Sequence, residues 1–201
     1  MNSGHGAAPK KYGFFALVSR MKNIDRWALM RNSNRENVQE HSHMVAVIAH
    51  ALAVIRRDVY GIASDPGAAA AAALFHDATE IFTGDMPTPV KYHSEEIIAA
   101  YGEIESRSRR RLLAALPDGL RGSYAAVLGG ADGDAERFVK AADKIAAYIK
   151  CVEELKTGNG EFGRAASQTL AKINALNMPE ADYFISNFLP AFSLTLDELE
   201  P

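Results

Sequence analysis

Between positions 38 and 55 the residues Val38, Val45, Ile48, Leu52 and Ile55 recur at spacings of three, four and seven. Such spacing collects them on one face of an α-helix and on no face of a strand. A stripe of that length must be covered by other apolar surfaces, and no segment of the chain shows the period-two alternation that would supply a sheet. The covering elements are therefore helices. Phe14, Leu17, Val18 and Met21 mark a short first helix, and 23–36, rich in Asp, Arg and Asn, reads as an ordered loop. Asp65-Pro66 starts a helix, with Asp as N-cap and Pro in the first turn. That helix runs through the alanines and His76-Asp77 and stops near Gly84, ahead of Pro87 and Pro89, which cannot continue it. Further helices are predicted over 94–116, 135–156, 161–176 and 179–189, with a Gly-rich loop at 129–134. The expectation is an all-α, compact bundle of about seven helices. Residues 12–201 would form one domain behind a flexible tail at 1–11.

The chain has 201 residues, enough to bury a core without covalent staples. Its net charge of −3 offers no basic surplus for a nucleic-acid polymer or an anionic membrane. Any phosphate ligand must be gripped by local cations or by a metal. One cysteine excludes an internal disulfide and thiolate zinc motifs. No apolar run is long enough to span a bilayer, and the first residues carry no signal-like segment, so a cytoplasmic protein is expected.

Three places stand out chemically. His41 sits on the apolar stripe itself, where an imidazole needs a partner. Alone, it is equally well explained as a core histidine bonded to a backbone carbonyl. His43 and His50 lie on other faces of that helix and are read as surface residues or as neighbours of the site. His76-Asp77 follows an apolar stretch, and helical neighbours point about 100° apart, so both can border one cavity. Asp143 lies among Ala142, Ala146 and Ala147, although pairing with Lys140, Lys144 or Lys150 would explain it too. Taken together, two imidazoles and two carboxylates from three helices suit one divalent transition ion (Co, Mn, Ni, Fe or Zn) better than Mg²⁺. Four protein ligands leave room for water and a substrate oxygen, the arrangement that metal-assisted hydrolysis uses.

The order His, His-Asp, Asp resembles the HD-domain phosphohydrolase superfamily. The resemblance narrows to its 5′-deoxynucleotidase branch through Arg26-Trp27-Ala28-Leu29-Met30-Arg31, Glu36-Asn37-Val38-Gln39-Glu40-His41-Ser42 and His76-Asp77-Ala78-Thr79-Glu80. The run from Thr83 through Gly84-Asp85-Met86-Pro87-Thr88-Pro89 to Tyr92 is its most specific part. It extends over nearly everything from Phe14 onward. The resemblance implies His41, His76, Asp77 and Asp143 as metal ligands and Glu80 as a catalytic carboxylate. It implies Arg26 as the phosphate-binding arginine, Trp27 as a wall of the sugar pocket and Asp85 as acceptor for a sugar hydroxyl. It further implies a small-molecule deoxynucleotide as substrate and a homodimer.

The activity expected on this basis is metal-dependent hydrolysis of 2′-deoxyribonucleoside 5′-monophosphates. Two alternatives stand beside it. One keeps the fold and changes the nucleotide to a triphosphate or an alarmone, enzymes that normally lack the Gly-Asp-x-Pro-Thr-Pro run. The other is a non-catalytic module that binds nucleotide or metal without turnover.

Overall fold

The computed structural model of the chain describes residues 11–129 and 133–199. The expected tail, save Lys11, and the centre of the 129–134 loop lie outside the described residues. Among the described residues there are ten α-helices: α1 (Phe14–Val18), α2 (Val38–Val54), α3 (Pro66–Leu74), α4 (Thr88–Lys91), α5 (Glu95–Ala114), α6 (Asp118–Leu128), α7 (Asp134–Lys156), α8 (Gly163–Asn174), α9 (Pro179–Asn187) and α10 (Leu196–Leu199). No strand occurs among the described residues, only an isolated bridge between Asp25 and Asn37. No described helix is long and apolar enough to cross a membrane.

The all-α expectation holds, with more helices than the seven anticipated, since α4, α6 and α10 are additional. The expected helix across His76-Asp77 is corrected. Helix α3 ends at Leu74, where Phe75 leaves the helical basin at φ −113° and ψ 3°. The His-Asp pair then occupies a turn before a 3₁₀ segment, Ala78–Ile81. The long 65–84 element is thus three pieces.

Starts are set by side chains that satisfy free amides. Asn37 caps α2, accepting from Gln39 and Glu40 amides while Glu40 returns a bond to the Asn37 N–H, a full capping box. Asp65 caps α3 through the Ala68 amide at 3.0 Å, with Pro66 in the first turn.

Helix α2 is the central element, packing against α3, α7 and α9. Its Val45, Ile48 and Leu52 meet Ala69 and Ala73 of α3, Phe138, Ala142, Ile145 and Ile149 of α7, and Ala181 and Phe184 of α9. The alanines on α2, α3 and α7 let these backbones approach closely, which brings short side chains such as Asp143 within reach of α2. A second core, with Phe14, Met21, Val38, Ala78, Leu112, Leu116 and Leu128, joins the N-terminal segment to α5 and α6. A third, smaller one has Cys151, Phe162 and Ala166, with Trp27 and Met30 resting on it.

Candidate metal centre

His41 is fully buried on α2 and turns its Nε2 to Asp143 Oδ1 on α7, 3.0 Å away. Asp77 Oδ2 lies 3.8 Å from that nitrogen and 3.0 Å from Nε2 of His76. The two imidazole rings stand 5.4 Å apart, centre to centre. One donor atom each from His41, His76 and Asp143 falls within 4.8 Å of the others. Three remote segments therefore bring two imidazole nitrogens and the Asp143 carboxylate together, with the Asp77 carboxylate beside both nitrogens.

The turn after α3 explains how His76 is aimed. Its Nδ1 lies 2.7 Å from the Ala73 carbonyl. A carbonyl only accepts, so Nδ1 carries the proton and Nε2 is directed at the cluster. That buried Nε2 makes no hydrogen bond of acceptable geometry. Glu80, on the 3₁₀ segment, is buried, and its Oε2 also lacks a partner.

The electrostatics of the space are lopsided. Asp77, Asp85, Asp143 and Glu80 share it, among the described residues, with one permanent cation, Arg26. Burial, then the charges of Asp77 and Asp85, push Glu80 up to about 9. Burial would depress His76, but Asp77 and Asp143 outweigh it and raise the imidazole to about 9. Burial would likewise raise Asp77, yet His76, His41 and Arg26 hold it well below the usual carboxylate range. The field thus favours positive charge. Two imidazole nitrogens facing carboxylates, an unpartnered Glu80 oxygen and a surplus of acidic groups fit a divalent cation held by His41, His76, Asp77 and Asp143.

Arg26 borders this cluster. Its Nη1 lies 3.4 Å from Asp77 Oδ2 and 3.8 Å from Asp85 Oδ1. Burial works against its charge, but Asp77, Asp143, Glu36 and Asp85 more than offset this and raise its pKa. Trp27 lies beside it, its ring 5.3 Å from that of Phe162. All eight residues singled out in the sequence thus gather in one region, Trp27 at its edge. His43 and His50 are exposed on α2.

Sequence reasoning had assigned no role to two carboxylates. Glu36 Oε2 accepts from both Arg26 Nε at 3.1 Å and Trp27 Nε1 at 3.2 Å. Glu154, buried near the end of α7, accepts from the Ser33 and Asn34 amides at 2.8 and 3.1 Å and from Asn159 Nδ2 at 2.8 Å. It also pairs with buried Lys150, whose ammonium donates to the Asn34 carbonyl too. The loop bearing Arg26 and Trp27 is thereby clamped to α7.

Residues 13–192 match the 5′-deoxynucleotidase YfbR-like family, a span that contains the whole cluster. The chain belongs to this family. A 5′-deoxynucleotidase of Vibrio cholerae serotype O1 is 45% identical over 188 residues, covering 92% of this chain and 97% of that protein. Among solved structures, an HD-domain phosphohydrolase of Listeria innocua superposes with a TM-score of 0.77 at 27% identity, covering 89% of this chain and 87% of the other. An HD phosphohydrolase of cyanophage S-2L, bound to dA and one catalytic Zn²⁺, shares the fold at a TM-score of 0.62 and 17% identity, over 87% of this chain and 95% of that one. In this chain His76-Asp77 forms a turn between α3 and a 3₁₀ segment.

Proposed function

We propose that the chain is a metal-dependent 5′-deoxynucleotidase. It hydrolyses 2′-deoxyribonucleoside 5′-monophosphates to deoxynucleoside and inorganic phosphate. The observation that carries this is the convergence of His41, His76, Asp77 and Asp143 beside a buried Glu80 whose Oε2 has no partner. Family membership supports it.

His41 and His76 would hold the ion through Nε2, and Asp77 and Asp143 through carboxylate oxygens. When bound, a divalent ion lowers the pKa of water and polarises the phosphoryl group. Arg26 directs its Nη atoms at the phosphate, where a guanidinium grips two oxygens at once. Water adds to phosphorus as the bond to the 5′ oxygen breaks; with a divalent charge held beside it the raised Glu80 pKa comes back down, leaving Oε2 free to take up the water's proton and return it to the departing alcohol. Asp85 accepts from the sugar hydroxyl. The Trp27 indole stands against the 2′ position, because a rigid wall excludes a hydroxyl better than an apolar pocket does.

The ion is one of Co, Mn, Ni, Fe or Zn, a set that the mixed nitrogen and oxygen donors favour. Residues 12–201 act as one domain, in a cytoplasmic homodimer whose partner is a small deoxynucleotide rather than a nucleic-acid polymer or a membrane. The test is phosphate release from paired 2′-deoxy and ribo 5′-monophosphates after chelation and return of each ion. Metal-dependent release confined to the deoxy set is expected. Equal release from both sets removes the sugar filter, and none with any ion removes the enzyme.

A further inference from the structure

The loop between Asp25 and Asn37 is closed at its base by two backbone hydrogen bonds. Arg26 N donates to the Glu36 carbonyl at 2.9 Å, and Val38 N to that of Ile24 at 2.9 Å. Inside the loop Trp27 adopts a left-handed backbone, φ 57°, unusual for a bulky residue. That conformation sends its side chain back across the loop, with Phe162 against the ring. The indole has one polar atom, Nε1, and its partner is Glu36 Oε2. The same oxygen accepts from Nε of Arg26. Because a guanidinium is planar, fixing Nε fixes where its Nη atoms point, here towards Asp77 and Asp85.

We propose that Glu36 is a positioning residue for substrate selection: its single carboxylate oxygen sets the Arg26 guanidinium and the Trp27 indole at a fixed mutual distance, so that phosphate grip and sugar wall act as one ruler. The proposal rests on the reading of Arg26 and Trp27 above. Glu36 touches neither substrate nor ion in this scheme. Its side chain is mostly shielded, 17% exposed, so water competes poorly for the two donors. Without it the indole keeps Phe162 on one side but is free to pivot, and the guanidinium is left to Asp77 and Asp85. Selection against ribose should then weaken together with phosphate affinity.

Trp27 is the chain's one tryptophan, so its fluorescence reports on the indole without any substrate. Glu36→Ala should raise acrylamide quenching of Trp27 severalfold and lower the ratio of kcat/KM for deoxy over ribo monophosphates by roughly tenfold, the worth of about 1.4 kcal/mol. KM should rise more than kcat falls, with bound metal unchanged. Glu36→Gln, which keeps an acceptor oxygen, should retain most of the wild-type ratio and quenching, whereas Glu36→Met, of similar bulk but without that oxygen, should behave as Glu36→Ala does. Wild-type quenching in Glu36→Ala overturns the proposal. So does an unchanged sugar ratio in Glu36→Ala when Trp27→Ala lowers it. An unchanged ratio in Trp27→Ala instead sinks the sugar-wall reading itself, a failure told apart by the quenching, which still judges whether Glu36 holds the indole.

Discussion

Replacing Glu154 with leucine should destabilise the protein by about 3 kcal/mol, the low end of what breaking a buried ion pair costs. The side chain is 1% exposed and Lys150 is 4% exposed. Removing the carboxylate strands the Lys150 ammonium with the Asn34 carbonyl, leaves the Ser33 and Asn34 amides without their acceptor, and leaves Asn159 Nδ2 with the Arg31 carbonyl. Ser33 and Asn34 are themselves exposed, so water satisfies part of the loss, which is why the low end is chosen. In a chain of this size that loss lowers Tm by roughly 6–12 °C. Urea denaturation followed by circular dichroism measures it. Lys150→Met combined with Glu154→Leu should recover at least half, because an apolar pair avoids the desolvation that a lone buried ammonium suffers. The reasoning fails if the single variant loses under about 1 kcal/mol, the cost of one ordinary hydrogen bond, or if the double variant is no better than the single.

The same residue gives a pH signature. Burial alone would raise the Glu154 pKa, but Lys150 and the donors from Ser33, Asn159 and Asn34 hold it well below the usual carboxylate range. A depressed folded-state pKa means that the unfolded chain binds more protons at acid pH. The stabilisation is complete above the unfolded value, about 4.3, and is lost progressively as pH falls below it towards the folded value. Glu154→Gln should flatten the fall in stability below about pH 4.5, where the unfolded carboxylate begins to protonate. An unchanged slope would assign the acid sensitivity elsewhere.

Three further outcomes concern the site. Glu80→Gln should lower kcat by roughly 10²–10⁴-fold, the usual worth of a positioned proton carrier, while bound metal measured by elemental analysis stays at the wild-type level; a wild-type rate removes Glu80 from proton handling. Either His76→Ala or Asp77→Ala should weaken metal binding by at least tenfold, about what loss of an outer supporting group alone costs, as titration against a competing chelator would read; unchanged affinity in both variants excludes the His-Asp pair as ligands. Adding the preferred ion at 100 times its Kd should stabilise the chelated protein by about 2.7 kcal/mol, seen as a rise in Tm that EDTA reverses; no rise with any of the five ions would show that the cluster does not bind them.

The legible and the illegible parts of this chain differ in kind. His41 was readable because a polar residue on an unbroken apolar stripe demands a partner, and the structure supplies Asp143. The break at Phe75 was not readable. The local sequence Ala-Leu-Phe-His-Asp-Ala continues a helix pattern without Gly or Pro, and what ends α3 is the packing that lets His76 Nδ1 reach the Ala73 carbonyl. Helix α6 was hidden by Gly119 and Gly122, both weak helix formers, although Leu120, Tyr124 and Leu128 kept the right spacing. Glu154 sits in Glu153-Glu154-Leu155-Lys156, which reads as a solvated helix end. Its burial comes from the loop folded over it, a tertiary fact with no local signature. Glu36 stands in a polar loop, and nothing in the spacing tells that one oxygen serves both Arg26 and Trp27.

The balance of charge ties these pieces together. A phosphate dianion approaching Asp77, Asp85 and Asp143 meets repulsion that Arg26, already engaged by Asp77 and Glu36, does not cancel. The arrangement makes sense if a divalent ion takes over the charge of Asp77 and Asp143. Asp77 then no longer competes for Nη1 of Arg26, and that face of the guanidinium is released to the phosphate. Glu36 keeps hold of Nε on the opposite edge throughout, so the arginine changes partner without changing place. If those residues hold the ion and the phosphate as proposed, a carboxylate excess that looks hostile to the substrate would make occupation by the ion a condition for holding it.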